Sequence, residues 1–264
     1  MLQLITKDFS NKYYKEVGFI PAKNFARFVT VIITCREQPI YHIDNYIEYN
    51  DDTDVYIIAD NRDSIVGIAD CWKWKTGVYT LLREWWRHNK NKINHNNKIF
   101  YMEYDVLVKN TKITNEMFTD GMRTSRTFSY YNIIRGSGPD PSISWSNEPW
   151  WWGVDGDKLS YELKKAAVGT ITSMFWFSSN ALDKLILSEW SDIWEKDIIC
   201  EITIPTILNY YNVPLYDWDD SLGFMRCHNL SINAETELNV IERIKSNQSG
   251  IYHPVRGSIE EVFI

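Results

Sequence analysis

Phe28-Val29-Thr30-Val31-Ile32-Ile33-Thr34 is an unbroken run of apolar and β-branched residues, closed by the charged pair Arg36-Glu37. A run with no polar face predicts a strand buried on both sides, which is the central position of an α/β sheet. Asp54 to Asp60 repeats the theme, and Lys98 to Tyr104 repeats it again. The intervals have room for helices, a short one within Pro39 to Tyr49 and a longer one whose Gly77 to His88 part carries the helical pattern. Strand, helix, strand, helix, strand at such spacings implies parallel strands joined by right-handed crossovers.

The third run differs in its ending. Lys98-Ile99-Phe100-Tyr101-Met102-Glu103-Tyr104-Asp105 closes on two carboxylates two residues apart. Strand side chains alternate between faces, so Glu103 and Asp105 are expected on one side of the strand at its carboxyl end. Ligands of open α/β sheets bind at that end, and two hard oxygen donors there suit a divalent cation carrying a diphosphate. The same spacing recurs at Asp52/Asp54, Asp155/Asp157 and Asp217/Asp219. Asp155-Gly156-Asp157 has the literal Asp-x-Asp form, but its central glycine and polar flanks are turn chemistry. Asp217-Trp218-Asp219-Asp220 follows Pro214 as a loop or strand end. The strand leading into Glu103/Asp105 favours that pair, with the other two as alternatives.

Composition narrows the function. With 264 residues and 44% hydrophobic content the chain can bury a large core, as one domain. Its 35 acidic and 28 basic residues give a formal charge of -7 with no long basic block, which argues against nucleic acid as a main partner. Cys35, Cys71, Cys200 and Cys227 are scattered without a Cys-x-x-Cys pair, so neither a zinc cluster nor a disulfide framework is expected, and a reducing compartment is. Neither a signal peptide nor an 18-residue apolar run is visible, which predicts a soluble cytoplasmic protein. The 12 Trp and 16 Tyr are either ordinary core or, as in Pro149-Trp150-Trp151-Trp152-Gly153, flat surfaces that stack on sugar rings.

Thr111 to Asp157 carries turn chemistry around Gly136-Ser137-Gly138-Pro139 and little regular pattern. Gly169 to Ser178 is expected as a strand, Ser179-Asn180 as a cap ahead of a helix over Ala181 to Trp190, and Ile202 to Leu208 as the start of a helix or strand. Gly136-Ser137-Gly138 follows no strand and leads into proline, so it is neither a dinucleotide fingerprint nor a phosphate loop. No Gly-x-Ser-x-Gly surrounds Ser178 or Ser179.

The strand-helix-strand opening, the Glu103-x-Asp105 strand end and the late His253-Pro254-Val255-Arg256 together resemble a GT-A glycosyltransferase, similar to the soluble forms of bacteria and large DNA viruses. The resemblance implies a Rossmann-like, mixed central sheet with flanking helices in one domain over residues 1–264. About 25–110 would form the nucleotide-sugar half, and about 111–264 the acceptor half with a closing tail. It implies a hexosyl- or pentosyltransferase that moves a sugar from a nucleoside diphosphate, uridine-linked, to a hydroxyl of a glycan or glycoside, with inversion favoured. Mn²⁺ or Mg²⁺ would be held by Asp105 and His253, with Glu103 acting on the metal, through water or on the ribose. Thr34, Cys35, Arg36 and Asp60 would border the base and ribose, Lys75 would reach the donor, and Arg256 would clamp phosphate oxygens. Glu201 would be the base, unless it is only an acid favoured by a helix start, with Asp157, Asp155 and Asp183 in reserve. Trp150, Trp151 and Trp152 would flank the acceptor. Two rivals remain: a sugar nucleotidyltransferase, whose glycine-rich loop is missing after Thr34, and a non-catalytic carbohydrate-binding protein.

Overall fold

The computed structural model describes residues 14–34, 42–60, 71–93, 98–124, 128–131, 156–170, 174–187, 198–217, 246 and 249–252; for residues 60, 71–77 and 129 it describes the backbone alone. Along these the chain forms β1 (Tyr14–Ile20), β2 (Phe28–Thr34), α1 (Ile43–Tyr49), β3 (Thr53–Asp60), α2 (Cys71–Asn89), β4 (Lys98–Glu103), β5 (Leu107–Lys109), β6 (Met122–Thr124) and β7 (Ser129–Tyr130). There follow α3 (Tyr161–Lys165), β8 (Val168–Gly169), β9 (Met174–Phe177), α4 (Ser179–Leu187), α5 (Cys200–Tyr210), β10 (Leu215–Tyr216) and β11 (Gly250–Tyr252).

Seven strands share one sheet in the order β1-β3-β2-β4-β9-β6-β10. The apolar run predicted to be central is central: all seven residues of β2 are buried, and it pairs in parallel with β3 and β4. The sheet as a whole is mixed, because β9 runs antiparallel to both β4 and β6, and β1 runs antiparallel to β3. Strands from both halves of the chain therefore build a single α/β sheet.

Alternation along the strands divides the core into two layers. Val29, Val31, Ile33, Tyr101, Phe175 and Phe177 lie on one face, beneath α2, α4 and α5. Phe28, Ile32, Phe100, Met102 and Trp176 lie on the other, packed against Tyr46 and Ile47 of α1 and against Val108 and Ile251 of the β5–β11 ribbon. Burying each of these aliphatic or aromatic side chains contributes about 1.5–3 kcal/mol.

Four sequence expectations need adjustment. α2 begins at Cys71, so Gly77 lies inside the helix. Its cost of about 1 kcal/mol there is offset by the buried stripe Val78, Leu81, Leu82 and Trp85, at helical spacing. Gly169 to Ser178 contains two strands rather than one: β8 pairs with β7, whereas β9 joins the main sheet. α4 is capped by Ser178 rather than Ser179, since Ala181 N donates to Ser178 Oγ at 3.2 Å. Ile202 to Leu208 is helix interior, with Pro205 inside α5. No helix among the described residues is long and apolar enough to cross a membrane.

Candidate active site

The chain leaves β2 towards β3 on one side, while beyond β4 it builds β9, β6 and β10 on the other. The connections diverge between β2 and β4, and a crevice opens at the carboxyl ends of strands where the order reverses in this way. Thr34 ends β2, Glu103 ends β4, and Ile33 and Glu103 stand opposite each other in register. Tyr104 N donates to Ile33 O at 3.0 Å, which fastens the two strand ends together.

Beyond Glu103 the strand stops. Val106 N donates to Glu103 O at 3.1 Å and closes a turn through Tyr104 and Asp105 before β5 begins. Strand alternation therefore does not reach Asp105, contrary to the sequence expectation. Both acids are nevertheless buried. Glu103 is 5% exposed and Asp105 3%. Tyr101, fully buried, directs its hydroxyl to Glu103 Oε1 at 3.5 Å. Burial first, then the charges of Glu103, Cys200 and Asp105, push the Tyr101 phenol well above its ordinary value, so it stays protonated and donates towards Glu103.

Cys200, at the start of α5, acts on the same Tyr101 phenol, and Glu201 is buried in the first turn. Pro205 has no N–H to give the carbonyl four residues back, which is that of Glu201. Thr170 N takes the vacancy at 3.0 Å, and Thr170 Oγ1 lies 3.3 Å from Thr124 Oγ1 at the end of β6. Further along, Thr206 Oγ1 accepts from Val168 N and donates to Val168 O, both at 3.0 Å, and Asn209 Nδ2 donates to Ala166 O at 2.8 Å. The helix thus holds every second residue of the 166–170 segment, much as a neighbouring strand would, and that lacing fixes where Glu201 begins.

The donor set at Glu103 and Asp105 is all oxygen, which fits Mn²⁺ or Mg²⁺. Among the described residues no group of three or more His, Cys, Asp or Glu side chains gathers to hold a metal. Two carboxylates suffice for a cation that completes its shell with phosphate oxygens and water. Ribbon register adds a further point: Tyr252 of β11 stands opposite Leu107 of β5, two residues past Asp105, so β11 ends beside the acidic turn. His253 and Arg256 follow Tyr252 in sequence and lie outside the described residues, as do Cys35, Arg36, Trp150, Trp151, Trp152, Asp155 and Asp219.

The other candidates separate clearly. Asp60 ends β3, and Lys75 lies within α2 rather than ahead of it. Asp157 is about half exposed and faces Lys164 Nζ at 3.7 Å. Asp183 accepts from Trp86 Nε1 at 2.8 Å and lies 3.6 Å from Lys90 Nζ, so it staples α4 to α2. Asp52 lies 3.5 Å from Lys112 Nζ, and Asp217 Oδ1 accepts from Phe128 N at 2.9 Å. Sequence reasoning missed Tyr101 and Cys200, although each had a signal: Tyr101 shares a strand face with Glu103, and Cys200 adjoins Glu201.

No protein-family model matches the chain, and no curated protein matches it. Among solved structures it is similar to the apo form of mouse xyloside xylosyltransferase 1, at 7% identity and a TM-score of 0.37, over 87% of this chain and 98% of that one. A superposition that loose carries no residue from one chain to the other.

Proposed function

We propose that this protein is a metal-dependent glycosyltransferase that moves a sugar from a uridine-linked nucleoside diphosphate to a hydroxyl of a glycan or glycoside. The observation that carries the reading is the burial of Glu103 and Asp105 at the end of β4, where the order of the sheet diverges, both acting on the buried Tyr101 phenol. Asp105 would hold Mn²⁺ or Mg²⁺ with His253, and Glu103 would support it directly or through water. When bound, the cation supplies positive charge against the departing diphosphate.

Glu201 acts as the base in this reading. Its carboxylate takes the proton of the acceptor hydroxyl while that oxygen attacks the anomeric carbon and the bond to the diphosphate breaks, so the sugar inverts. Arg256 binds phosphate oxygens, Thr34, Cys35, Arg36 and Asp60 border the nucleoside, Lys75 reaches the donor, and Trp150 to Trp152 face the acceptor.

The test is UDP release from a panel of UDP-sugars, with Mn²⁺ and with EDTA, for wild type, Asp105→Asn and Glu201→Gln. Expected are metal-dependent release by wild type, loss of donor binding in Asp105→Asn, and retained binding without turnover in Glu201→Gln. Donor binding without turnover in wild type would instead mark a binding protein. No response to any nucleotide sugar would remove the glycosyltransferase reading.

A further inference from the structure

We propose that Arg123 forms an oxyanion-binding site, for a phosphate or carboxylate group of a ligand, separate from the Glu103/Asp105 crevice. Arg123 lies in β6 and is 9% exposed. A guanidinium does not lose its proton in proteins, so this is a permanent charge removed almost entirely from water. Buried charges are ordinarily matched by an opposite one. Arg123 has none: no ion pair joins it to an acid among the described residues.

What surrounds it holds its geometry without neutralising it. Nη1 donates to the Asp217 main-chain carbonyl at 2.9 Å, and the guanidinium carbon sits 5.8 Å from the centre of the Tyr216 ring. Asp217 Oδ1 accepts from Phe128 N, and no ion pair to Arg123 is formed among the described residues. Nε is buried and donates to no atom among the described residues. A stacked, oriented guanidinium with an unused Nε–H is prepared for a two-point contact with a planar or tetrahedral oxyanion.

Register separates this site from the acidic pair. Arg123 stands opposite Trp176, and Trp176 opposite Phe100, so Arg123 is level with Phe100, three residues short of Glu103. With β9 between, β6 lies about 10 Å across the sheet from β4. Arg123 shares the α1-side face with Trp176, whereas Glu103 faces Tyr101 on the other side. An anion on Arg123 and a cation at Asp105 can therefore be bound independently, and the site does not depend on the glycosyltransferase reading.

The experiment measures thermal stability and chemical shift changes in EDTA, titrating inorganic phosphate in one arm and glucuronate in another at constant ionic strength, with chloride as reference. Wild type should show saturable stabilisation by at least one of the two, with shifts at the Arg123 Nε–H resonance, and the preferred arm separates a phosphate from a carboxylate source. Arg123→Gln should lose the response and Arg123→Lys should weaken it several-fold. Asp105→Asn should keep it, even if that variant has lost its Mn²⁺ response. Failure of wild type to saturate with either anion overturns the proposal whether or not Arg123→Gln folds. An equal response in wild type and a folded Arg123→Gln overturns it as well.

Discussion

A cation held by Asp105 binds the folded chain and not the unfolded one, so it raises stability by mass action. Asp105→Asn keeps the shape of the side chain and removes one ligand charge, so Mn²⁺ should raise the melting temperature of wild type and not of the variant. An equal rise in Asp105→Asn would show that the metal is held elsewhere. Asp183 gives the contrast. Its bond from Trp86 Nε1 joins two helices, and the side chain is about half exposed. Asp183→Ala should therefore cost about 1 kcal/mol in denaturant unfolding and leave turnover alone. Glu103 was legible because an apolar strand runs into it. Asp105 follows β4 in a turn that the strand pattern does not announce. Asp157, which shares the Asp-x-Asp spacing, sits in an exposed ion pair that spacing cannot foresee.

Elements were legible where a single force dominates. β2, β3 and β4 announce themselves because burial on both faces demands apolar residues throughout. β1 does not, because its inward residues are Tyr14, Glu16, Gly18 and Ile20 while Val17 and Phe19 are only partly buried, and its pairing with β3 shifts register between Glu16 and Gly18. A period-two search sees no apolar face there. α5 reads as helix or strand in the sequence because Pro205 interrupts the helical pattern, and its compensation by Thr170 is a tertiary event. In Pro205→Ala the restored N–H competes for the Glu201 carbonyl, so the Thr170 amide should exchange faster with solvent deuterium; unchanged protection would mean that the carbonyl accepts both donors. Thr206→Val removes both bonds to Val168 at nearly constant volume and leaves a buried N–H and C=O unsatisfied. It should cost about 2–4 kcal/mol, read from the denaturant midpoint at unchanged slope.

For the whole molecule, the parallel half of the sheet follows from spacing, but the antiparallel β9 does not, because nothing local in Met174–Phe177 states the direction of its neighbours. The aromatic content has a consequence that only the folded protein reveals. Tyr14, Tyr46, Tyr56 and Tyr101 are each at most 4% exposed, and each phenol is raised above its ordinary value of 10. Burial is the main cause in all four, reinforced by Glu16 and Glu84 at Tyr14, by Asp54 and Glu16 at Tyr56, and by Glu103 at Tyr101; at Tyr46, bonds from Thr30 and Thr53 offset part of it. Below pH 10 folded and unfolded chains both keep these protons, and stability is indifferent to them. Above pH 10 the unfolded chain releases them and the folded chain does not, so stability falls as pH rises towards the folded values. Each phenol contributes about 1.4 kcal/mol per pH unit in that window, and four together about 5–6. Against a total stability of roughly 5–15 kcal/mol, this should unfold the protein within about one to three units above pH 10. In a spectrophotometric titration the last tyrosinate absorbance at 295 nm should therefore rise together with the loss of far-ultraviolet circular dichroism. Ionisation of all 16 tyrosines near pH 10 with the circular dichroism intact would mean that these four phenols are open to solvent, and that the two-layered core around β2 is not packed as described.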